Sequence, residues 1–240
     1  MTFEEVARAA AKQAERAVSI TLQQMKARHG HDEDDVTGFL VGSLATLFDK
    51  HQIGDVTLSA AILRHRRGTA AEERRYGADI LIHVSMDMPT QEYSKGVLIQ
   101  AKKKELTDYW SPSSHDELVE QCNRILRVTA AAFVFSYTEG GIRCGAAARV
   151  AGAKVVTNPT YLCGWTSYRF FLELFWCPIG DPRITSANVD ELPVPFVLQI
   201  GLSGNLTFEP GHRRANQGQS RNGHHARGVR HEEMRQDGSQ

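Results

Sequence analysis

With 240 residues, 41% of them hydrophobic, the chain can bury a core of its own, and its 28 basic and 28 acidic side chains leave no formal net charge. That excludes a disordered polar chain, and it means that any positive surface must come from local placement. The four cysteines, Cys122, Cys144, Cys163 and Cys177, make no C-x-x-C pair, which argues against a zinc site or a disulfide framework and for buried reduced thiols.

Residues 1–30 lack the charged-then-apolar order of a signal peptide. The most apolar later run, Phe170 to Trp176, is interrupted by Glu173 and falls far short of the roughly 20 residues that span a bilayer. A cytoplasmic protein without membrane contact is expected. Thr2 to Arg28 reads as an alanine-rich helix ended by Gly30, suited to packing on the domain or on another subunit, so a homo-oligomer is one expected arrangement.

His31-Asp32-Glu33-Asp34-Asp35 is an acidic entry into a second helix carrying Val36, Leu40, Leu44 and Leu47. The helix dipole and capping alone account for most of those charges. Glu33, however, precedes Val36, Thr37 and Leu40 by three, four and seven positions, which puts it on the inward stripe. Val56 to Leu63 alternates as a first strand, followed by the basic turn Arg64-His65-Arg66-Arg67-Gly68. With Arg74, Arg75 and Lys102 to Lys104 this turn forms either a solvated loop or a phosphate-tracking rim.

The next stretch carries the chemistry. Ile80, Ile82 and Val84 alternate with Asp79, Leu81 and His83, and Val97, Ile99 and Ala101 alternate with Leu98, Gln100 and Lys102, predicting two adjacent strands. Side chains two apart share a face, so Gln100 and Lys102 point the same way and a neighbouring strand that starts at Asp79 adds a carboxylate. A carboxylate, an amide and an ammonium suit phosphodiester hydrolysis. Asp79 would anchor a hard divalent cation such as Mg²⁺ or Mn²⁺, the Gln100 oxygen would be a neutral ligand, and Lys102 would orient water and offset phosphate charge. The bland reading is an aspartate and a lysine that solubilise strand ends.

Downstream, Ser111 to Ser114 leads to a helix from about Asp116 to Val128 carrying Gln121 and Arg124, and Ala131 to Tyr137 is a buried strand. Gly140-Gly141 turns into a strand over Ile142 to Val150, Asn158-Pro159 is a turn, and Trp165 to Trp176 is an aromatic helix closed by Cys177-Pro178. From about Gly204 the chain becomes rich in Gly, Asn, Gln, Arg and His, which predicts a disordered tail over 204–240 after a domain over 1–203. Scattered histidines such as His212 and His224 carry no metal pattern.

Gly77-Ala78-Asp79, then about twenty residues, then Gln100-Ala101-Lys102 in an apolar strand, resembles the restriction-endonuclease-like nucleases of the PD-(D/E)xK superfamily. The order helix, strand, strand, strand, helix, strand over about residues 33–137 agrees. The resemblance implies a three-layer α/β/α core with a central mixed sheet, a metal-dependent DNA endonuclease activity, and a setting in restriction or antiphage defence. Gln100 stands where an acid is commoner, as in Mrr-like restriction and antiphage defence nucleases. A second carboxylate therefore gains weight, and in the superfamily it often comes from a Glu on a preceding helix. Glu33 is the first candidate, with Asp34, Glu72 and Glu73 behind it. No nucleotide-hydrolysing or base-reading motif accompanies these residues, so a protein partner or activator subunit is expected to supply targeting. A nuclease-like DNA-binding scaffold without cleavage, and an interaction protein in which Asp79 and Lys102 merely pair, remain the alternatives.

Overall fold

Alternation along the central strands divides the interior into two cores. On one face of the sheet Ile80, Ile82, Val97, Ile99, Phe133 and Phe135 are buried together. On the other, Leu81, Leu98 and Val134 are buried with Leu118, Cys122 and Ile125. A strand buried on both faces loses the clean apolar-polar alternation and reads as a continuous apolar run, as Ala132–Thr138 does.

The computed structural model describes residues 1–27, 32–65, 77–89, 91–185 and 192–206, all within the unit Met1–Phe208. Helices are α1 (Phe3–Ala27), α2 (Glu33–Phe48), α3 (Pro112–Val128), α4 (Ala147–Ala151), α5 (Pro159–Leu162) and α6 (Ser167–Phe175). Strands are β1 (His51–Ile53), β2 (Val56–His65), β3 (Ile80–Met88), β4 (Gln91–Lys103), β5 (Ala132–Thr138), β6 (Gly141–Ala146), β7 (Trp165–Thr166) and β8 (Phe196–Gly204). The strands form one mixed sheet in the order β1-β2-β8-β3-β4-β5-β6-β7, parallel at β3/β8 and β4/β5 and antiparallel elsewhere. Helices lie on both faces, with α1, α2 and α6 over the larger core and α3 and α4 over the smaller one. Among the described residues no helix is long and apolar enough to cross a membrane.

The helix ends follow local chemistry. Asp32 caps α2 by accepting the Asp35 N–H at 2.8 Å. Ser111 caps α3 by accepting the Ser114 N–H at 3.1 Å, with Pro112 in the first turn, where its missing N–H costs nothing. Along α1 the alanines Ala7, Ala10, Ala14 and Ala17 are buried, and their small side chains admit α2 and α6 at close range.

Several expectations need correction. The strand expected over Ile142 to Val150 stops at Ala146, and α4 follows; a run of alanines is a helix former once it leaves the ladder. Asn158-Pro159 is a cap and first turn rather than a plain turn, since Asn158 accepts the Thr160 N–H at 3.0 Å. Trp165 and Thr166 pair with β6 before α6 begins. A short β1 precedes the strand read as first. Cys177 is exposed, while Cys122, Cys144 and Cys163 are buried and unbridged.

The largest difference is β8. Sequence patterning places no element between Pro182 and Gly204, yet β8 lies inside the sheet, antiparallel to β2 and parallel to β3. Pro193 and Pro195 sit just before it, and Gly201, Ser203 and Gly204 dilute its second half, so it resembles loop composition. The domain boundary expected after residue 203 cuts the end of this strand, and the tail from Thr207 lies outside the described residues.

Leu198, fully buried in β8, therefore carries core weight. Leu198→Ala is expected to destabilise by about 2–5 kcal/mol, whereas Ile62→Ala, at a position 38% exposed on β2, should cost less than about 1 kcal/mol. Urea unfolding of the two variants measures the contrast.

Candidate active site

Asp79 is the residue that leads into β3, and its backbone is held from both sides. Its N–H donates to the Ile99 carbonyl at 2.9 Å, and its carbonyl accepts the Phe196 N–H at 3.0 Å. Two residues earlier Gly77 has φ +71°, and a Cβ there would stand 2.6 Å from the Gln121 backbone oxygen of α3. The glycine is thus required both by the left-handed backbone and by close passage under the helix.

The Asp79 side chain turns back to β4. Its Oδ2 accepts the Gln100 Nε2 donor and the Ala101 N–H, both at 2.6 Å. Gln100 also donates through Nε2 to the Ala101 carbonyl at 3.0 Å. Two acceptors around one amide terminus fix its orientation, because only the NH₂ group serves both. Gln100 thus presents its nitrogen, not its oxygen, to Asp79, and as it stands it orients the carboxylate.

Lys102 projects from the same strand to Glu33. Its Nζ lies 3.2 Å from Glu33 Oε1, and Glu33 Oε2 accepts the Lys103 N–H at 2.8 Å. The first residue of α2 is in this way stitched to the end of β4 across 69 positions of sequence. A buried relay supports it: Thr37 Oγ1 donates to the Glu33 carbonyl at 2.9 Å and lies 3.1 Å from the Tyr137 hydroxyl. Lys102 pairs with Glu33 rather than with Asp79.

Of the residues singled out from sequence, Asp79, Gln100, Lys102 and Glu33 therefore come together. Asp34 is exposed on α2 and acts on Asp79 only through its charge. Glu72, Glu73, Arg66, Arg67, Arg74 and Arg75 lie outside the described residues. Arg124 pairs with Glu120 at 3.7 Å. Gln121 packs its backbone beneath Gly77, and its Oε1 is buried with no hydrogen bond among the described residues. Sequence reasoning missed Thr37 and Tyr137. The available signal was a hydroxyl one helical turn after Glu33 and a tyrosine closing an apolar strand.

Burial pushes the Asp79 carboxyl up to about 8, and the nearby Glu33 charge adds to the rise against the opposing pull of Lys102 and the Ala101 N–H. For Lys102 burial acts downward, but Glu33 and Asp79 outweigh it and hold the ammonium above its usual range. Two carboxylates and one ammonium are one positive charge short of balance. Among the described residues no group of three or more His, Cys, Asp or Glu side chains converges as a metal cage. A hard divalent ion that keeps several waters needs only one or two carboxylates beside a substrate phosphate, and Asp79 and Glu33 are the two carboxylates of this cluster.

The raised carboxyl has a measurable consequence. An unfolded chain ionises Asp79 near about pH 3.9, whereas the folded protein keeps the proton up to about 8. The stability this proton lends is complete below about pH 4 and is lost as pH rises toward about 8. Asp79→Asn carries no such proton, so wild type should lose stability relative to that variant across this window and run parallel to it above. Urea unfolding of both proteins at a series of pH values checks this; parallel behaviour throughout would return Asp79 to the ordinary carboxyl range.

Compared with known proteins, the chain matches no family model, no curated protein and no solved structure.

Proposed function

We propose that this chain is a metal-dependent endonuclease that hydrolyses DNA phosphodiester bonds, in a setting of restriction or antiphage defence. The observation that carries the reading is the meeting of Asp79, Gln100, Lys102 and Glu33 at one end of the sheet, through contacts of 2.6 and 3.2 Å. A glutamate from a helix that precedes the strands by many residues has no reason of sequence proximity to be there. A restriction-endonuclease-like core is further supported by a mixed sheet between helices and by the succession α2, β2, β3, β4, α3, β5, interrupted only by the short β1 between α2 and β2. DNA as substrate and the defence setting rest on the resemblance of the Gly-Ala-Asp and Gln-Ala-Lys motifs.

In this reading Asp79 and Glu33 would hold a Mg²⁺ or Mn²⁺ ion, which when bound would supply charge to neutralise the phosphate and acidify the attacking water. Gln100 keeps the Asp79 carboxylate aimed. Lys102, held protonated by its two carboxylate neighbours, serves as a fixed cation that stabilises charge building on the phosphate and orients the water. Paired with Glu33 in this way, it is a poor proton acceptor. Targeting falls to a partner or activator subunit.

One observation favours a second reading. Asp79, Gln100, Lys102 and Glu33 already satisfy one another, as they would in a DNA-binding scaffold that has no cleavage.

Incubation of the protein with supercoiled plasmid, with Mg²⁺ and with chelator, separates the two. The nuclease reading expects nicking or linearisation with Mg²⁺ alone, abolished in Asp79→Asn at unchanged circular dichroism. Lys102→Met should slow cleavage about 10²- to 10³-fold while metal affinity by calorimetry stays level or tightens. Glu33→Gln should weaken metal dependence more than Gln100→Glu does. DNA binding with no metal-dependent cleavage under any activating condition would establish the scaffold instead.

A further inference from the structure

Large apolar side chains left exposed are unevenly distributed. Of the ten found among the described residues, Leu106, Tyr109, Val155, Val156 and Tyr161 fall on only two segments. One is the loop that follows β4 into α3, and the other runs from the end of α4 through α5. Tyr109 is 79% exposed, Val155 73% and Tyr161 63%.

The two segments are bound to each other. Asn158 Nδ2 donates to the Glu105 carbonyl at 2.8 Å, Thr160 Oγ1 donates to the Lys104 carbonyl at 3.2 Å, and His115 Nε2 lies 3.3 Å from the Ala153 carbonyl. The two segments that carry the exposed residues are therefore neighbours in space, braced by internal hydrogen bonds. Solvent contact of this kind marks an interaction site more often than chance.

The surface adjoins the proposed active site. Leu106 follows Lys102 by four residues, at most about 14 Å of chain, and a stacked nucleic-acid strand covers that distance in about four nucleotides at about 3.4 Å each. Its charge also suits a nucleic acid. Residues 149–161 contain Arg149 and Lys154 and no acidic side chain. On the other segment Lys103 and Lys104 stand beside Glu105 and Asp108, with Lys104 3.8 Å from Asp108 and Glu105 against the Glu139 backbone at 2.6 Å, so the excess positive charge of the surface lies on residues 149–161. Lysine is depleted at the centre of protein interfaces, whereas ammoniums interleaved with aromatic faces are what a strand with unpaired bases requires. A duplex hides its base faces in its own stack and gains little from exposed rings.

We infer that Tyr109 and Tyr161, with Leu106, Val155 and Val156 around them and Lys154 beside them, form a stacking surface for the unpaired bases of a single-stranded DNA segment leading into the Asp79 site. This rests on the proposed nuclease reading only for the position of the scissile phosphate. The stacking itself needs neither metal nor cleavage.

The test is a fluorescence anisotropy titration of the full chain, in chelator, with a labelled single-stranded DNA oligonucleotide and with the duplex of the same sequence. The single strand should bind at least about tenfold tighter, with Tyr109→Ala and Tyr161→Ala each weakening it about 5- to 150-fold, the range of one lost base stack, and leaving the duplex unchanged. Tyr109→Phe should restore binding, and Lys154→Ala should lower the salt dependence by about 0.7 in the logarithmic slope. A 2-aminopurine in the strand should be quenched on binding wild type and not the alanine variants, a signal that a merely structural role for the tyrosines would not move.

Equal affinity for strand and duplex, or unaltered binding by alanine variants that melt at the wild-type temperature, overturns the inference. So does a change of sedimentation from oligomer to monomer in those variants with DNA binding intact, which makes the surface a protein contact. Tyrosine-dependent binding without cleavage of any DNA in Mg²⁺ sinks the nuclease reading and leaves this one standing. Cleavage that ignores both tyrosines does the reverse.

Discussion

Where β3 begins at Ile80, β4 continues for several residues, so its inner edge runs past the partner strand and offers the Ala101 N–H to nothing in the ladder. The Asp79 carboxylate accepts that N–H. This one bond fixes where the carboxylate points, and a buried donor left open there would cost about 1–3 kcal/mol. Gln100 reaches the same oxygen only because it lies across from Asp79 in that register. The passage of Gly77 beneath α3 and the meeting of the Asp79 backbone with β8 follow from the same fixed entry point. A shift of one residue between β3 and β4 would turn every one of these side chains to the other face.

The charges at that point are unequal in a way that packing alone does not require. Folding usually pairs a buried ion or leaves it out, and here Lys102 is pair enough for Glu33 but not for Asp79 as well. Such a cluster costs stability at neutral pH. It persists because Tyr137 and Thr37 brace the α2 terminus and because the β3, β4 and β8 backbones hold Asp79. Residues that raise the energy of the folded chain while being held by their surroundings cluster at functional sites more often than elsewhere.

Much of this was legible in the residues. Asp79, Gln100 and Lys102 share a neighbourhood because strand periodicity leaves little freedom, and Glu33 was found from its place on an apolar helical stripe. Interactions within one element or between sequential strands are written in local pattern. The role of the Gln100 amide was not, since which end faces Asp79 depends on the Ala101 carbonyl and N–H in three dimensions. Nor was β8, whose glycines and flanking prolines resemble a loop and whose stability comes from two strands more than a hundred residues earlier. Tyr137 read as core, correctly for its ring, and only the fold brings its hydroxyl to Thr37 at the end of α2.

The place of β8 also bears on how the chain is made. Its neighbours β2 and β3 belong to the first ninety residues of the sequence and β8 to residues 196–204, so during synthesis both inner edges stand open while more than a hundred further residues are added. At about 5–20 residues per second that interval lasts on the order of ten seconds. Throughout it the nascent chain lacks the Phe196 N–H that meets the Asp79 carbonyl, and the sheet cannot close around the cluster. Assembly of this cluster is therefore a late event in the life of each molecule, completed only after nearly all of the described chain has left the ribosome.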